Sequence, residues 1–314
     1  MIKERIMVYT VTFNPALDYV VHLDDPIENG KMNRSNKEEF YYGGKGINVS
    51  TVLTNLGIDT VAMGFVAGFT GAAIVHGLSH KGIRTDFIIL RQGISRINVK
   101  IRNGVETDIN AAGPRLSNDD VKAFMKKLDD LGEGDYLVLS GSVPPNMHDS
   151  IYERICRRVA DKNVNVVVDA DGDLLMNTLQ MNPFLIKPNK SELESLFKAK
   201  IKNDKDVEKY ARKLQEQGAR NVLVSMGEEG SMLVPEEGKV IRLGVPEGKV
   251  INTVGSGDSM VAGFLAGYMK NGDMQKAMNL ATAAGAATAY SEGLGEKSTI
   301  MMQLEKINNG LWMK

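Results

Sequence analysis

Two textures of hydrophobic patterning alternate along this chain. Ile6–Phe13, Thr60–Val66, Tyr136–Leu139, Val164–Asp169, Phe184–Asn189 and Arg220–Val224 are short apolar, mostly β-branched runs, the pattern of buried strands. Between them apolar residues recur at helical spacing, as in Val49, Val52, Leu53 and Leu56, a helix stopped at Gly57. Further helices are predicted over Thr70–Lys81, from Ser117 to about Leu131, over Met147–Lys162, from Asn189, over Asp206–Gln217, from about Ser256, over Gln275–Tyr290 and from about Thr299. Strand and helix in alternation predict one α/β body over residues 1–314.

Two segments break that rhythm. Residues 19–42 and 92–112 read as short, partly polar, alternating strands, the second turned at Asn103-Gly104, a strong hairpin signal. Together they predict a small β-sheet outside the main one, covering an end of the body as a lid. Arg96, Asn98 and Lys100 fall on one face of that hairpin strand. That face is either solvated or turned toward an anionic ligand.

Composition narrows the classes. The chain has 314 residues and a formal net charge of −1, with charges well mixed, so nothing points to nucleic acid or a membrane surface. One cysteine, Cys156, excludes an intramolecular disulfide framework and fits a reducing compartment. Residues 1–10 lack the apolar core of a signal peptide, and no run reaches the length of a membrane span, so a soluble cytoplasmic protein is expected. His22, His76, His80 and His148 lie in unrelated contexts, which argues against a histidine metal site. No Gly-x-Ser-x-Gly elbow is present.

The chemistry sits in the loops. Asn252–Phe264 holds Gly255-Ser256-Gly257 at the start of a helix, with Asp258 in its first turn. A helix N-terminus offers unpaired N–H groups and partial positive charge to an anion, so Asp258 either caps the helix or takes a proton beside a bound phosphoryl group. Asn14–Asp18 ends the first strand in a turn, which places Asp18 at a strand's carboxyl end. Gly43, Gly44 and Gly46 allow close backbone approach around Lys45, and Asn48 follows one turn into the helix. Lys45 is then a ligand contact or a solvated loop cation; the spacing is not that of a Walker A loop. Ser140–Pro145 is a rigid loop at a strand end. Asn189 and Glu192 have the spacing of a capping box, and their oxygens also suit a hydrated hard cation such as Mg²⁺. Ser225–Gly230 is a glycine-bearing turn, and the helix over 275–290 is rich in Ala.

Taken in order, Asn14–Asp18, Gly43–Asn48, Ser140–Pro145, Lys187-Pro-Asn189 with Glu192, Ser225–Gly230 and Thr253–Asp258 resemble the motif series of the PfkB, or ribokinase-like, carbohydrate kinases. The likeness spans almost the whole chain and is nearest to the phosphosugar branch, through Ser95–Ile101, Glu106–Asn110 and Gly113-Pro114. It implies a three-layer α/β/α sandwich on a mainly parallel sheet, with a β-sheet lid. It implies ATP-dependent phosphorylation of fructose 1-phosphate at the C6 hydroxyl, with tagatose 6-phosphate and fructose 6-phosphate as alternative acceptors. A sugar-phosphate or nucleotide sensor without turnover is a reading from a different class. By the same resemblance Asp258 is the general base, and Gly255, Ser256 and Gly257 hold the transferring charge. Asp18, Gly43, Gly44, Lys45, Asn48 and Ser142 bind the sugar phosphate, with Arg96 and Lys100 closing from the lid. Lys187, Ser225, Met226, Gly227, Glu228, Glu229, Gly230, Gly257, Asn279 and Ala283 contact ATP, and Asn189 and Glu192 order Mg²⁺ through water. Relatives activated by K⁺ often carry Asp where this chain has Asn252, a departure that leaves a K⁺ site open. Pairing of relatives through their lids implies a homodimer.

Overall fold

A computed structural model describes residues 6–103 and 106–312. Seven parallel strands, in spatial order β11 (Asn221–Ser225), β10 (Leu185–Ile186), β9 (Asn165–Asp169), β8 (Tyr136–Ser140), β1 (Val8–Thr12), β4 (Thr60–Ala67) and β5 (Arg84–Leu90), form the main sheet. Antiparallel β12 (Ser231–Val234) and β13 (Ile241–Leu243) extend it beyond β11.

Helices cover both faces, which is why the strands are apolar throughout rather than alternating. Leu137, Leu139, Val166 and Val168 face one core with α3 (Asn118–Lys127), α4 (Ile151–Val159), α5 (Gly172–Met176), α6 (Lys190–Phe197) and α7 (Asp204–Glu216). Val8, Val138, Val167 and Leu223 face the other, with α1 (Lys45–Asn55), α8 (Ser256–Asn271), α9 (Met274–Ala289) and α10 (Lys297–Asn308). The last helix, α2 (Gly68–His80), packs Ile74 and Leu78 against Ala62 and Val66 of β4. The result is the three-layer sandwich.

The second sheet has strand order β3 (Lys37–Gly43), β2 (Ala16–His22), β6 (Arg96–Arg102) and β7 (Glu106–Ile109). β2 runs parallel to β6 and antiparallel to β3. β2 begins earlier than the sequence pattern indicates. Asp18 lies not in a turn after β1 but as the third residue of β2, because Ala16–His22 alternates inward and outward in register with Arg96–Arg102. Gly104 of the hairpin turn lies outside the described residues.

Two other expectations are corrected. The strand expected over Phe184–Asn189 pairs as a ladder only at Leu185 and Ile186. Pro188 has no N–H to donate, and Asn189 leaves to cap α6 after a single bridge to Ser225. His76 and His80 are not in unrelated contexts. They lie four residues apart on α2, so the helix sets them on one face with their Nε2 atoms 2.9 Å apart.

Candidate active site

Open α/β sheets place their ligands at the carboxyl ends of their strands. Here that edge carries Asp169 at the end of β9, Lys187 just beyond β10 and Ser225 at the end of β11, while α1 and α8 bring in their N-termini. Between this edge and the inner face of the small sheet lies a cleft of about 1100 Å³.

Asp258, in the first turn of α8, forms the floor and is 5% exposed. Gly255 precedes it with φ +81°, a left-handed turn that glycine adopts without strain and that aims the first amides of α8 toward the cleft. Gly257 has no Cβ because one would stand 2.9 Å from the Lys187 ammonium, so glycine here lets that cation reach the helix end. Asn48 Nδ2 donates to Asp258 Oδ2 at 2.8 Å. Burial pushes the Asp258 carboxyl up to about 7, and the nearby charge of Asp169 adds to it. The Asn48 bond and the charges of Lys45 and Lys187 oppose the shift without cancelling it. A carboxyl poised near neutrality is suited to general-base work.

The sequence reading missed Asp169. It is 1% exposed, and its Oδ1 sits 3.2 Å from Lys187 Nζ and 3.4 Å from Lys45 Nζ. Burial works to raise its carboxyl, but the two lysines outweigh burial and hold it below the usual carboxylate range. Two carboxylates in one dry floor are thereby driven apart, Asp169 toward the charged form and Asp258 toward the neutral one. The available signal was an acid ending a buried strand, Val166-Val-Val-Asp169, which named no partner.

The lid wall supplies the other half. Asp18 accepts from Asn98 Nδ2 at 2.7 Å, and burial raises its carboxyl while that bond and the charges of Lys100 and Arg96 pull the other way. Gly43, paired with Ala16 in the β2–β3 ladder, lies diagonally across from it, and a Cβ there would stand 2.6 Å from Asp18 Oδ2. Arg96 also lines the cleft, and its buried Nε has no protein partner. Lys100 is held by Asp108 at 3.1 Å.

Asp18, Gly43, Gly44, Lys45, Asn48, Arg96, Lys100, Lys187, Asn189, Glu192, Ser225, Gly255, Gly257 and Asp258 all line this cleft. Ser142 is exposed outside its wall, Ser256 does not line it and its buried hydroxyl has no protein partner, and Met226 is buried. Gly227, Glu228, Glu229 and Gly230 form the turn after β11, with Glu229 paired to Lys190 at 2.6 Å. Asn279 bonds Gln275 and Asn308, and Ala283 is fully buried between helices.

Asn189 and Glu192 do form a capping box: Glu192 N–H donates to Asn189 Oδ1 at 2.8 Å, and Asn189 N–H donates to Glu192 Oε2 at 2.7 Å. That arrangement leaves the second carboxylate oxygen of Glu192 unused by the cap. Asp169 Oδ2 is a buried acceptor with no partner. An oxygen-only donor set with a free carboxylate oxygen fits a hydrated hard divalent cation.

A family model described as pfkB family carbohydrate kinase matches residues 9–300. A 1-phosphofructokinase of Bacillus subtilis is 43% identical over 301 residues, 96% of this chain and 98% of that protein. A D-tagatose-1-phosphate kinase of Bacillus licheniformis is 34% identical over 94% of this chain and 96% of its own length. Among solved structures, phosphofructokinase-2 from Escherichia coli in complex with fructose-6-phosphate superposes with a TM-score of 0.89 at 25% identity, covering 97% of this chain and 100% of that one. With sequence and fold agreeing from end to end around one carboxylate-floored cleft, this chain belongs to the pfkB family of carbohydrate kinases and is a sugar-phosphate kinase that phosphorylates a hydroxyl group.

Proposed function

We propose that the protein transfers the γ-phosphoryl group of ATP to the C6 hydroxyl of fructose 1-phosphate, giving fructose 1,6-bisphosphate and ADP. The observation that carries this reading is a buried, near-neutral carboxyl at a helix N-terminus, sharing one cleft with a cationic lid wall. The similarity to a 1-phosphofructokinase supports the acceptor.

In this mechanism the ionised Asp258 takes the C6 hydroxyl proton as the oxygen attacks the γ-phosphorus and the bond to the ADP oxygen breaks. Asn48 holds the carboxylate in place, and the amides of Gly255, Ser256 and Gly257 meet the charge spread over the transferring group. Lys45 and Lys187, pinned by Asp169, add fixed positive charge beside it. Asp18, Asn98 and Gly43 position the sugar hydroxyls, and Arg96 with Lys100 binds the 1-phosphate. Lys187, Ser225 and the 227–230 turn, with Asn279 in the middle of α9, receive the nucleotide, while the buried Ala283 and Met226 pack behind that wall. Mg²⁺, held through water by Asn189 and Glu192, supplies charge neutralisation on the phosphates when bound.

K⁺ is given no role. Asn252 Nδ2 donates to the Glu292 carbonyl at 3.0 Å, so an amide rather than a carboxylate meets that oxygen. A homodimer through the lid is supported by the sheet's outer face, where Phe40 and Ile109 are 59% and 58% exposed and Tyr19 stacks on Phe40 at 4.8 Å. Among the described residues no helix is long and apolar enough to cross a membrane. The protein acts in the cytoplasm, where ATP and phosphosugars meet.

The deciding experiment measures ADP release with Mg·ATP and a panel of fructose 1-phosphate, fructose 6-phosphate, tagatose 1-phosphate, tagatose 6-phosphate and free sugars. Highest kcat/KM for fructose 1-phosphate is expected. Preference for another acceptor overturns the substrate assignment, and no turnover on any of them favours the sensor.

A further inference from the structure

α2 carries a feature that phosphoryl transfer does not use. His76 and His80 stand one turn apart on its exposed face, outside the cleft, with Nε2 atoms 2.9 Å apart and rings at 81°. We propose that His76 and His80 clip a divalent transition-metal ion, Ni²⁺ or Cu²⁺.

The spacing permits chelation. Imidazole nitrogens bind such metals at about 2.0–2.1 Å, so two of them on one ion stand about 2.9 Å apart at a right angle and about 3.3 Å apart at a tetrahedral one. The observed separation is that of a hydrogen bond between the two rings, and small ring rotations reach either bite; the ion follows from the donors instead, since nitrogen ligands bind Ni²⁺ and above all Cu²⁺ more tightly than the earlier divalent metals. Bridged only by a hydrogen bond, the pair shares one proton between two nitrogens. When an ion binds, the bridging proton passes through water to the Nδ1 of the ring that carried it, both Nε2 lone pairs are freed, and the two exposed rings turn to meet the ion. Among the described residues no third His, Cys, Asp or Glu completes the shell, so water fills the remaining positions and the ion exchanges freely.

The same turn of helix has a structural task. Between the two histidines, Gly77 lies so close under the Tyr42 ring that a Cβ would stand 2.0 Å from it, and Tyr42 leads directly into the Gly43-Gly44-Lys45 loop. Lys81, which follows His80, sits 5.8 Å from the centre of the same ring. A bound ion braces this last turn of α2, and because only the folded helix presents both ligands it stabilises the folded chain by mass action.

The test is titration of the full-length, nucleotide-free protein with NiCl₂ by calorimetry, alongside melting curves with and without the ion. His76→Ala and His80→Ala should each weaken one Ni²⁺ equivalent by roughly tenfold or more and abolish the corresponding rise in Tm. His148→Ala should leave both unchanged. Alanine suits an exposed helix site, so folding and phosphoryl transfer should persist in the two clip variants. With Cu²⁺, an EPR spectrum showing two nitrogen donors should be lost in either variant. Ni²⁺ binding that is absent, or that survives His80→Ala undiminished, overturns the clip. Tighter binding of Zn²⁺ than of Cu²⁺ overturns the choice of ion.

Discussion

The floor and the lid wall of the cleft both carry acids and cations, yet they are built on opposite terms. On the floor Asp169, Asp258 and Lys187 are at most 5% exposed, and each is fixed by the end of a buried strand or helix. On the lid the cations belong to a four-stranded sheet whose other face is open. Charges fully buried together set one another's protonation; the partly buried lid charges also act on Asp18, but they face the cleft and remain able to attract an anion. The floor is therefore suited to chemistry and the lid to choosing and retaining the acceptor.

The sharpest way to break this contrast is Asp258→Asn. Loss of a general base costs on the order of 10²–10⁴ in rate, so kcat should fall at least that far while ATP still binds, measured by ADP release and by nucleotide titration. Near-normal turnover would exclude Asp258 as the base. Asp169→Asn should come next: with Lys45 and Lys187 no longer held, kcat should fall by about 10²-fold and the KM of both substrates should rise. Arg96→Ala should instead raise KM for the phosphosugar by about 10–100-fold, consistent with one lost charged contact, with little change for ATP. Equal effects on both substrates would remove Arg96 from the acceptor site.

The pH dependence is smaller and is read through Asp258. A base whose carboxyl is pushed up to about 7 must lose its proton to act, so kcat/KM should rise with pH and level off above about 7. Stability runs the other way. Because the folded state holds the Asp258 proton more tightly than the unfolded chain, this group's contribution is fully present below the ordinary carboxylate range and is lost as pH rises toward about 7. Asp258→Asn removes that buried charge, so its Tm should exceed that of the wild type by more at pH 8 than at pH 5. An equal difference at both values would mean that Asp258 is ionised throughout. Last and smallest, exchanging K⁺ for Na⁺ should leave the rate unchanged, given the amide of Asn252 on the Glu292 carbonyl.

Much of this was legible in the linear pattern, for identifiable reasons. A helix starting at Ser256, the capping box of Asn189 and Glu192, and the apolar runs of β8, β9 and β11 depend on neighbours within a few residues, so local spacing declares them. Loop order declared the family, since motifs spread over almost the whole chain constrain one another. Less legible were contacts across long separations. Asn48 reaches Asp258 across 210 positions and Lys45 reaches Asp169 across 124, and no periodicity encodes either meeting. Asp18 was misplaced because a turn signal, Asn14-Pro15, masked the β-alternation that pairing with β6 reveals.

The sequence by itself determined which segments become strands and helices, where glycine opens the backbone, and which acid stands in the first turn of α8. Only the tertiary structure decided that Asp169 and Asp258 share one buried floor with two lysines between their demands. Protonation there follows from burial and from distance to other charges, and both come into being only when remote strand ends and helix ends converge.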